Sequence, residues 1–231
     1  MKQKLVVFSG AGMSAESGIQ TFRDSDGLWA NYRIEEIATP DAWNRNPDLV
    51  TEFYNMRRKR IIETSPNGAH DSIAELEDHF EVEIVTQNID DLHERAGSSN
   101  VLHLHGNIRL AKSSGPNSEL NYYPINGWKL TQEDKCSEGY RLRPHVVWFG
   151  EAVPAYDDAA EVIKKADILI VIGTSLQVYP AAGLIHYAPA NCKKIIIDPK
   201  ADQMGLPAEY RVINTGAVEG MKLLKEELLE T

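Results

Sequence analysis

Residues 5–29, LVVFSGAGMSAESGIQTFRDSDGLW, hold the reading on which the rest of the chain turns. The apolar run at 5–8 has the composition of a buried strand, and Ser9-Gly10-Ala11-Gly12 turns it into residues 13–17, which carry the pattern of a first helical turn. A strand, a glycine-rich turn and a helix start in that order form an anion site, because backbone N–H groups and the positive end of the helix dipole converge on one spot. A diphosphate suits that spot. The glycine spacing alone leaves the matter open: GAG followed by Gly18 is not G-x-G-x-x-G, and a tight turn without a ligand reads the same way. The continuation through Phe22, Arg23 and Asp26-Gly27-Leu28-Trp29 is a loop placed to close over a bound dinucleotide.

Further along, apolar runs at 82–86, 168–172, 194–197 and 211–214 have the length of strands, and amphipathic helical patterns lie at 71–80, 157–165, 181–187 and 218–229. Their alternation predicts an α/β fold, a Rossmann-like parallel sheet with helices on both faces. Ligands of such a sheet bind beyond the carboxyl ends of its strands. Two stretches break the alternation. The expected organisation is a single domain with a core of residues 1–23, 66–106 and 144–231, a helical insertion at 24–65 and a small turn-rich module at 107–143. Asn46-Pro47 opens a helix in the first insertion, and Ser, Gly, Asn, Pro and Tyr crowd the second.

With 231 residues and 42% hydrophobic content, the chain can bury one substantial core. No apolar run reaches the roughly 20 residues of a membrane span. Residues 1–8 begin a strand rather than a secretory leader, so a cytoplasmic protein without a membrane partner is expected. Cys136 and Cys192 are too few for a disulfide framework and are expected as free thiols. A net charge of −10 argues against nucleic acid as a partner. It is compatible with attraction of basic, lysine-bearing peptides, and serves solubility equally well.

Thr86-Gln87-Asn88-Ile89-Asp90-Asp91-Leu92-His93 follows a strand, so its amides and carboxylates fall on the ligand rim. They suit a ribose, a carboxamide or a water, and equally an Asx turn capping the next helix. Leu102-His103-Leu104-His105-Gly106 alternates as a strand with both histidines on one face, which fits metal ligation, a hydrogen-bonded pair, or one base beside a spectator. A satisfied structural role is the commoner one for a histidine, and of the two His105, just before glycine at a strand end, is the better placed to act as a base near neutral pH. Val146-Val147-Trp148-Phe149-Gly150-Glu151 is either a segment that adds a peptide as a strand or an ordinary buried strand. Gly173-Thr174-Ser175 forms a second strand-end turn, fit for a phosphate, a ribose or a helix cap. Asp198 ends the run at 194–197, where a carboxylate accepts ribose hydroxyls. In Glu52-Phe53-Tyr54-Asn55-Met56-Arg57-Arg58, helical spacing puts Tyr54 and Arg57 on one face. They are a clamp for a carboxylate, or part of a solvated basic face with Arg58, Lys59 and Arg60.

Taken in order, GAGMSAESGI, Phe22-Arg23, Gly27-Leu28-Trp29, TQNIDDLH, His105-Gly106, RPHVVWFGE and GTSLQV resemble the motifs of the sirtuins, NAD-dependent protein-lysine deacylases. The likeness runs from Gly10 to Ala217. It implies NAD as cofactor, held in the first stretch by Gly10, Ala11, Gly12, Ser14, Ala15, Gly18, Thr21, Phe22, Arg23 and Trp29. It further implies Gln87 near the nicotinamide ribose, Asn88, Ile89 and Asp90 at the nicotinamide pocket, and Gly173, Thr174, Ser175, Asp198 and Ala217 around the rest of the dinucleotide. His105 is the implied general base. Val146 and Phe149 border the implied acyl-lysine channel, and Gly150 and Glu151 offer backbone to the peptide.

The pair Tyr54-x-x-Arg57 resembles the mark of sirtuins that act on succinyl-, malonyl- and glutaryl-lysine, and Thr21, where many sirtuins carry Asp, points the same way. Asp198 stands where most carry Asn. The implied substrates are acylated lysine side chains of proteins, acetyl-lysine included, and the implied products are free lysine, nicotinamide and O-acyl-ADP-ribose. The rival readings are protein ADP-ribosylation and a non-catalytic NAD or ADP-ribose sensor. Sirtuins usually carry Cys-x-x-Cys pairs for a structural zinc in the second insertion. Here Ser113 and Pro116 stand for the first pair and Cys136 alone for the second, so no zinc is expected and Tyr122, Tyr123, Trp128 and Tyr140 are expected to pack the module instead. Oligomeric state has no signature in the sequence.

Overall fold

The opening apolar run becomes β1, Lys4–Ser9, in which Leu5 through Ser9 are fully buried. Strand alternation sends Leu5 and Val7 into one core layer and Val6 and Phe8 into the other, which is why the run needs no polar face. The computed structural model describes residues 2–20 and 32–230, so Thr21, Phe22, Arg23 and Trp29 lie outside the described residues. After β1 comes the short α1, Gly12–Ala15, and then α2 (Ile34–Ile37), α3 (Pro40–Arg45) and α4 (Pro47–Glu63). Thr39 accepts from the Ala42 N–H at 3.0 Å and Asn46 from the Leu49 N–H at 3.1 Å; α3 and α4 therefore begin where a side-chain cap meets a first-turn proline.

The remaining core elements are α5 (Gly68–Glu75), β2 (Glu81–Thr86), α6 (Leu92–Arg95) and β3 (Val101–His103). After β4 (Gly106–Ser113), β5 (Tyr122–Pro124) and β6 (Leu142–Val146), the chain returns through α7 (Tyr156–Ile163), β7 (Ile168–Ile172), β8 (Lys193–Ile197), β9 (Tyr210–Ile213) and α8 (Ala217–Leu229). The large sheet has six strands in the order β3-β2-β1-β7-β8-β9, all parallel. From β1 the chain builds outward through β2 and β3 on one side, then crosses back to β7, β8 and β9 on the other. The order reverses between β1 and β7, and a crevice opens at their carboxyl ends. α5 and α8 pack together on one face, α7 and a 3₁₀ helix at Ala181–Tyr187 on the other.

Some elements differ from the sequence expectation. β3 joins the sheet edge, although it is too short and too polar to register as an apolar run. The chain turns after His103 and restarts at Gly106, so His103 and His105 do not share one strand. Gly106 has φ +84°, and a Cβ there would lie 2.2 Å from the His145 carbonyl oxygen, which reserves the position for glycine. The helix expected over 71–80 starts earlier, at Gly68, and gives way at Leu76–Asp78 to a 3₁₀ turn; Leu76 and Phe80 extend the pattern because both reach the same core. Residues 181–187 form a 3₁₀ rather than an α-helix.

The small antiparallel sheet has the order β5-β4-β6. Its core is Ala111, Ile125, Leu130, Cys136 and Leu142, with Tyr123 packed alongside. Tyr122, Trp128 and Tyr140 are exposed at the surface, so the expectation that four aromatics hold the module is corrected: a short aliphatic cluster does. At the positions compared with zinc cysteines, Ser113 Oγ donates to Cys136 Sγ at 3.4 Å. Among the described residues no group of three or more His, Cys, Asp or Glu side chains is placed to hold a metal, and no helix is long and apolar enough to cross a membrane. Arg58 ties the module to α4. It is wholly buried, donating from Nε to the Ile108 carbonyl at 2.6 Å and from Nη1 to Asn55 Oδ1 at 2.8 Å and the Trp128 carbonyl at 2.9 Å. Of the basic run read as a solvated face, only Lys59 and Arg60 are exposed.

Candidate active site

The carboxyl ends of β1, β2, β7 and β8 open into a cleft of about 640 Å³ that reaches α4 and the segment after β6. The two glycine turns interlock on its floor. Gly10 N–H donates to the Ile172 carbonyl at 3.0 Å and Gly12 N–H to the Gly173 carbonyl at 2.8 Å. Gly173 has φ +61°, and a Cβ there would lie 2.2 Å from Met13 N. The expectation of a turn presenting free amides is therefore corrected: Met13 and Ser14 N–H also bond within the turn, to Gly10 and Ala11 carbonyls, because the turn closes on itself and on Gly173.

The segment after β2 is held from below and from the side. Ser9 Oγ donates to Thr86 Oγ1 at 2.8 Å, and Thr86 Oγ1 accepts the Asn88 N–H at 3.0 Å. Asn88 Nδ2 donates to Ser14 Oγ, which donates to Asp90 Oδ2, each at 3.0 Å. Asp90 Oδ1 accepts the Leu92 N–H at 3.2 Å, so the Asx turn forms while the other oxygen serves the cleft network. Burial raises the Asp90 pKa against the pull of these bonds. Gln87 Nε2 bridges to Thr174 Oγ1 at 3.0 Å, joining the β2 and β7 ends.

The two histidines receive opposite treatment. His103 donates from Nδ1 to the Asn88 carbonyl at 2.9 Å and from Nε2 to Glu94 at 2.7 Å; burial works against its charge, but Glu94 outweighs burial and the pKa is raised. His105 donates from Nδ1 to the Gln87 carbonyl at 2.9 Å, which leaves Nε2 as the unprotonated nitrogen. Burial holds the His105 pKa below the usual histidine range despite that bond. One ring has both nitrogens committed, and the other keeps a lone pair in the cleft that Asn88 and Asp90 also line.

At the opposite end, Tyr54 and Arg57 project from α4 into the cleft. Burial pushes the Tyr54 phenol up to about 12 against the opposing charge of Arg57, and burial lowers the Arg57 pKa against support from Tyr54 and Asp90. Ile19, Ala38, Val146, Trp148, Phe149 and Val153 give this end an apolar wall, with Phe149 45% exposed at the mouth. Asp198 lines the cleft beyond β8; its Oδ1 accepts the Lys200 N–H at 2.9 Å, and burial raises its pKa.

One cleft thus brings together Gly10, Ala11, Gly12, Ser14, Gln87, Asn88, Ile89, Asp90, His105, Gly173, Thr174, Ser175 and Asp198 with Tyr54, Arg57, Val146, Phe149, Gly150 and Glu151. Ala15, Gly18 and Ala217 are not on its wall: Ala15 and Gly18 face solvent, and Ala217 is packed in the core at the start of α8. Glu16 explains that last placement, since its Oε1 accepts the Val218 N–H at 3.0 Å. Val147, Trp148, Val178, Tyr179, Pro180, Pro199 and Lys200 line the cleft without having been singled out as site residues. The signal for Val178 through Pro180 was their position just after the second glycine turn, and for Pro199 and Lys200 their position just after Asp198.

Residues 10–180 match the Sir2 family. The chain is 48% identical over 230 residues to an NAD-dependent protein deacylase of Bacteroides thetaiotaomicron, covering 98% of each chain. It is 50% identical over 230 residues to an NAD-dependent protein deacylase of Helicobacter pylori, covering 99% of this chain and 98% of the relative. The crystal structure of a Sir2 homologue in complex with NAD superposes with a TM-score of 0.86 at 40% identity, over 99% of this chain and 90% of the other.

Proposed function

The chain belongs to the Sir2 family, and on that premise we propose that it is an NAD-dependent protein deacylase that removes acidic acyl groups, succinyl and malonyl first, from lysine side chains. Volume and chemistry of the cleft fit the cofactor. About 640 Å³ suits a small-molecule site, and the amides of Gln87 and Asn88 with the carboxylates of Asp90 and Asp198 suit a carboxamide and ribose hydroxyls. Bound NAD would supply a ribose carbon from which an acyl oxygen can displace nicotinamide, the glycosidic bond breaking as the new C–O bond forms, together with the ribose hydroxyls. Asn88 and Asp90, fixed through Ser14, orient the nicotinamide end. His105 takes a proton at Nε2, with Gln87 holding the tautomer that makes this nitrogen basic. Val146 and Phe149 keep water from the acyl chain, while Tyr54 and Arg57 receive its carboxylate.

The observation that carries the acidic-acyl reading is the pairing of Tyr54, buried, and Arg57, half-buried, on one helix face in the same cleft as His105. An apolar channel rejects an unpaired carboxylate at a cost of several kcal/mol, order of magnitude ~. A guanidinium and a phenol remove that barrier through charge-assisted bonds. The test is NAD-dependent turnover of acetyl-, malonyl-, succinyl- and glutaryl-lysine peptides by the parent protein and by the Tyr54→Phe and Arg57→Met variants. Arg57→Met is expected to lower kcat/KM on succinyl-lysine by roughly 30-fold and Tyr54→Phe by roughly tenfold, with acetyl-lysine nearly unaffected. Equal losses on both acyl groups contradict the clamp.

A further inference from the structure

Residues 146–151 border the cleft, and one nearly buried ion pair sets their course. Arg143, on β6, donates from Nη1 to Glu151 Oε1 at 2.8 Å and from Nη2 to Glu151 Oε2 at 2.9 Å, and Nη2 also donates to the Val146 carbonyl at 3.0 Å. Glu151 Oε2 accepts the Trp148 N–H at 2.8 Å. The guanidinium stacks on the Trp148 indole, 3.4 Å from the ring centroid. A single guanidinium therefore governs Val146, Trp148 and Glu151 together. The backbone of the segment is also anchored by the Val147 N–H, donating to the His105 carbonyl at 2.9 Å, by the Phe149 N–H, donating to the Ala38 carbonyl at 3.0 Å, and by the Glu151 N–H, donating to the Trp148 carbonyl at 3.0 Å.

The side chains of Arg143 and Glu151 are 10% and 20% exposed. Withdrawing such a pair from water is costly enough that apolar packing of the same volume often does as well for stability, so its value is to be sought in what it positions. Two features point to the acyl end of the cleft. Trp148, trapped between the pair and the wall, lies beside Tyr54. Arg143 lies against the Trp148 indole and holds Glu151, and that indole packs in the same cluster as Tyr54, so both charges stand one side chain away from where an acyl carboxylate would sit.

We propose that Arg143 and Glu151 are positioning residues for the acyl-lysine substrate. Paired, they hold 146–151 in the course that receives the peptide, and their opposed charges cancel at the channel wall, so the charge of the accepted acyl group is decided at Tyr54 and Arg57. The inference rests on the deacylase reading for the identity of the peptide. It goes beyond that reading by giving Glu151, besides any backbone contact with the substrate, a side-chain role through its partner.

The test measures affinities of fluorescent acetyl-lysine and succinyl-lysine peptides of one sequence by anisotropy, alongside NAD affinity and NAD-dependent turnover. It compares the parent protein with Glu151→Gln, Arg143→Met and the double variant. Each single variant is expected to weaken acetyl-lysine peptide binding by about tenfold while NAD affinity stays within about twofold. Glu151→Gln leaves an unopposed cation, so the preference for succinyl over acetyl rises. Arg143→Met leaves an unopposed anion, so the preference falls. The double variant strands no buried charge, keeps its fold, and returns the preference to the parent value. Single variants that shift the preference in the same direction, or a double variant that does not restore it, overturn the proposal, as does NAD affinity falling in step with peptide affinity. A parent protein that binds both peptides without turnover overturns the deacylase reading and leaves the pair to be judged from the affinities. A parent protein that binds neither overturns both.

Discussion

The two ends of the cleft are built by opposite means. At the sheet end, small side chains and backbone lock two glycine turns and the segment after β2 into one hydrogen-bonded unit, through Gly10–Ile172, Gly12–Gly173, Asn88–Ser14–Asp90 and Gln87–Thr174. At the far end, bulky apolar groups, Tyr54 and Arg57 of α4, and Glu151 paired with Arg143 of β6 surround the open part of the cleft. The first end is rigid because parallel strands deliver its parts side by side. The second is an assembly of segments remote in sequence, and there specificity can change without disturbing the sheet. Under the proposed function, a site built this way separates cofactor chemistry from acyl selection.

Losing the base should break the sheet end most severely. His105→Ala is expected to lower the deacylation kcat about a thousandfold while NAD and peptide affinities change by less than about twofold; single-turnover kinetics with separate binding titrations check this. At the channel end the corresponding loss, Arg57→Met on succinyl-lysine, is smaller and confined to acidic acyl groups. A variant that erased both acyl activities would unite the two ends that the structure keeps apart.

Rigidity of the sheet end can be tested directly. Gly173→Ala combines a left-handed backbone with a Cβ 2.2 Å from Met13 N, so it should destabilise the fold by about 1–3 kcal/mol and weaken NAD binding more than peptide binding. Chemical denaturation and calorimetric titration give the two numbers.

Below the same floor, His70 and His93 are packed ring to ring, with centroids 4.9 Å apart. Burial lowers the His70 pKa to about 4 and the His93 pKa well below 6.5. Between pH 6.5 and about 4 the unfolded chain takes up protons that the fold refuses, so stability is full above 6.5 and declines as pH falls through that window. His103 runs the other way: its raised pKa gives stability that is complete below 6.5 and lost as pH rises through the folded value. Glu94 and Glu151, both held below 4.5 by their partners against burial, lose their contribution only at still lower pH. Melting temperature followed from pH 7 to 4 should therefore fall on the acid side, and His70→Gln should flatten the upper part of that fall.

The smallest expected effect is at the sheet end's outer edge. Asp198 retains an oxygen besides the one bonded to Lys200 N–H, and an amide offers a similar acceptor. Asp198→Asn should change the KM for NAD by no more than about threefold, well under 1 kcal/mol; steady-state kinetics at saturating peptide will show it.

Legibility of the sequence followed the same division. β1, β2, β7, β8 and the turns after them could be read locally, because a strand buried on both faces is an apolar run and the turn that follows it carries the site. β3 was legible only in part: residues 102–106 alternate as one strand, whereas the chain leaves the strand after His103 and restarts at Gly106. The interlocked amides of the first turn were invisible, since their partners lie on another strand. Arg58 sits in a run with the pattern of a solvated face, and the carbonyls of Ile108 and Trp128 that bury it lie far away in sequence. Aromatic bulk in the small module is no guide to burial: Ala111, Ile125, Leu130 and Leu142 form its core, and Tyr122, Trp128 and Tyr140 are exposed. The pairing of Arg143 with Glu151 crosses a bend in the chain that no periodicity announces.

The most direct test of the central claim is mass spectrometry of a reaction containing the protein, NAD and a succinyl-lysine peptide. Deacylation of this peptide is expected to give free lysine peptide, nicotinamide and O-succinyl-ADP-ribose in equal amounts. ADP-ribose attached to protein, or no release of nicotinamide, would contradict it.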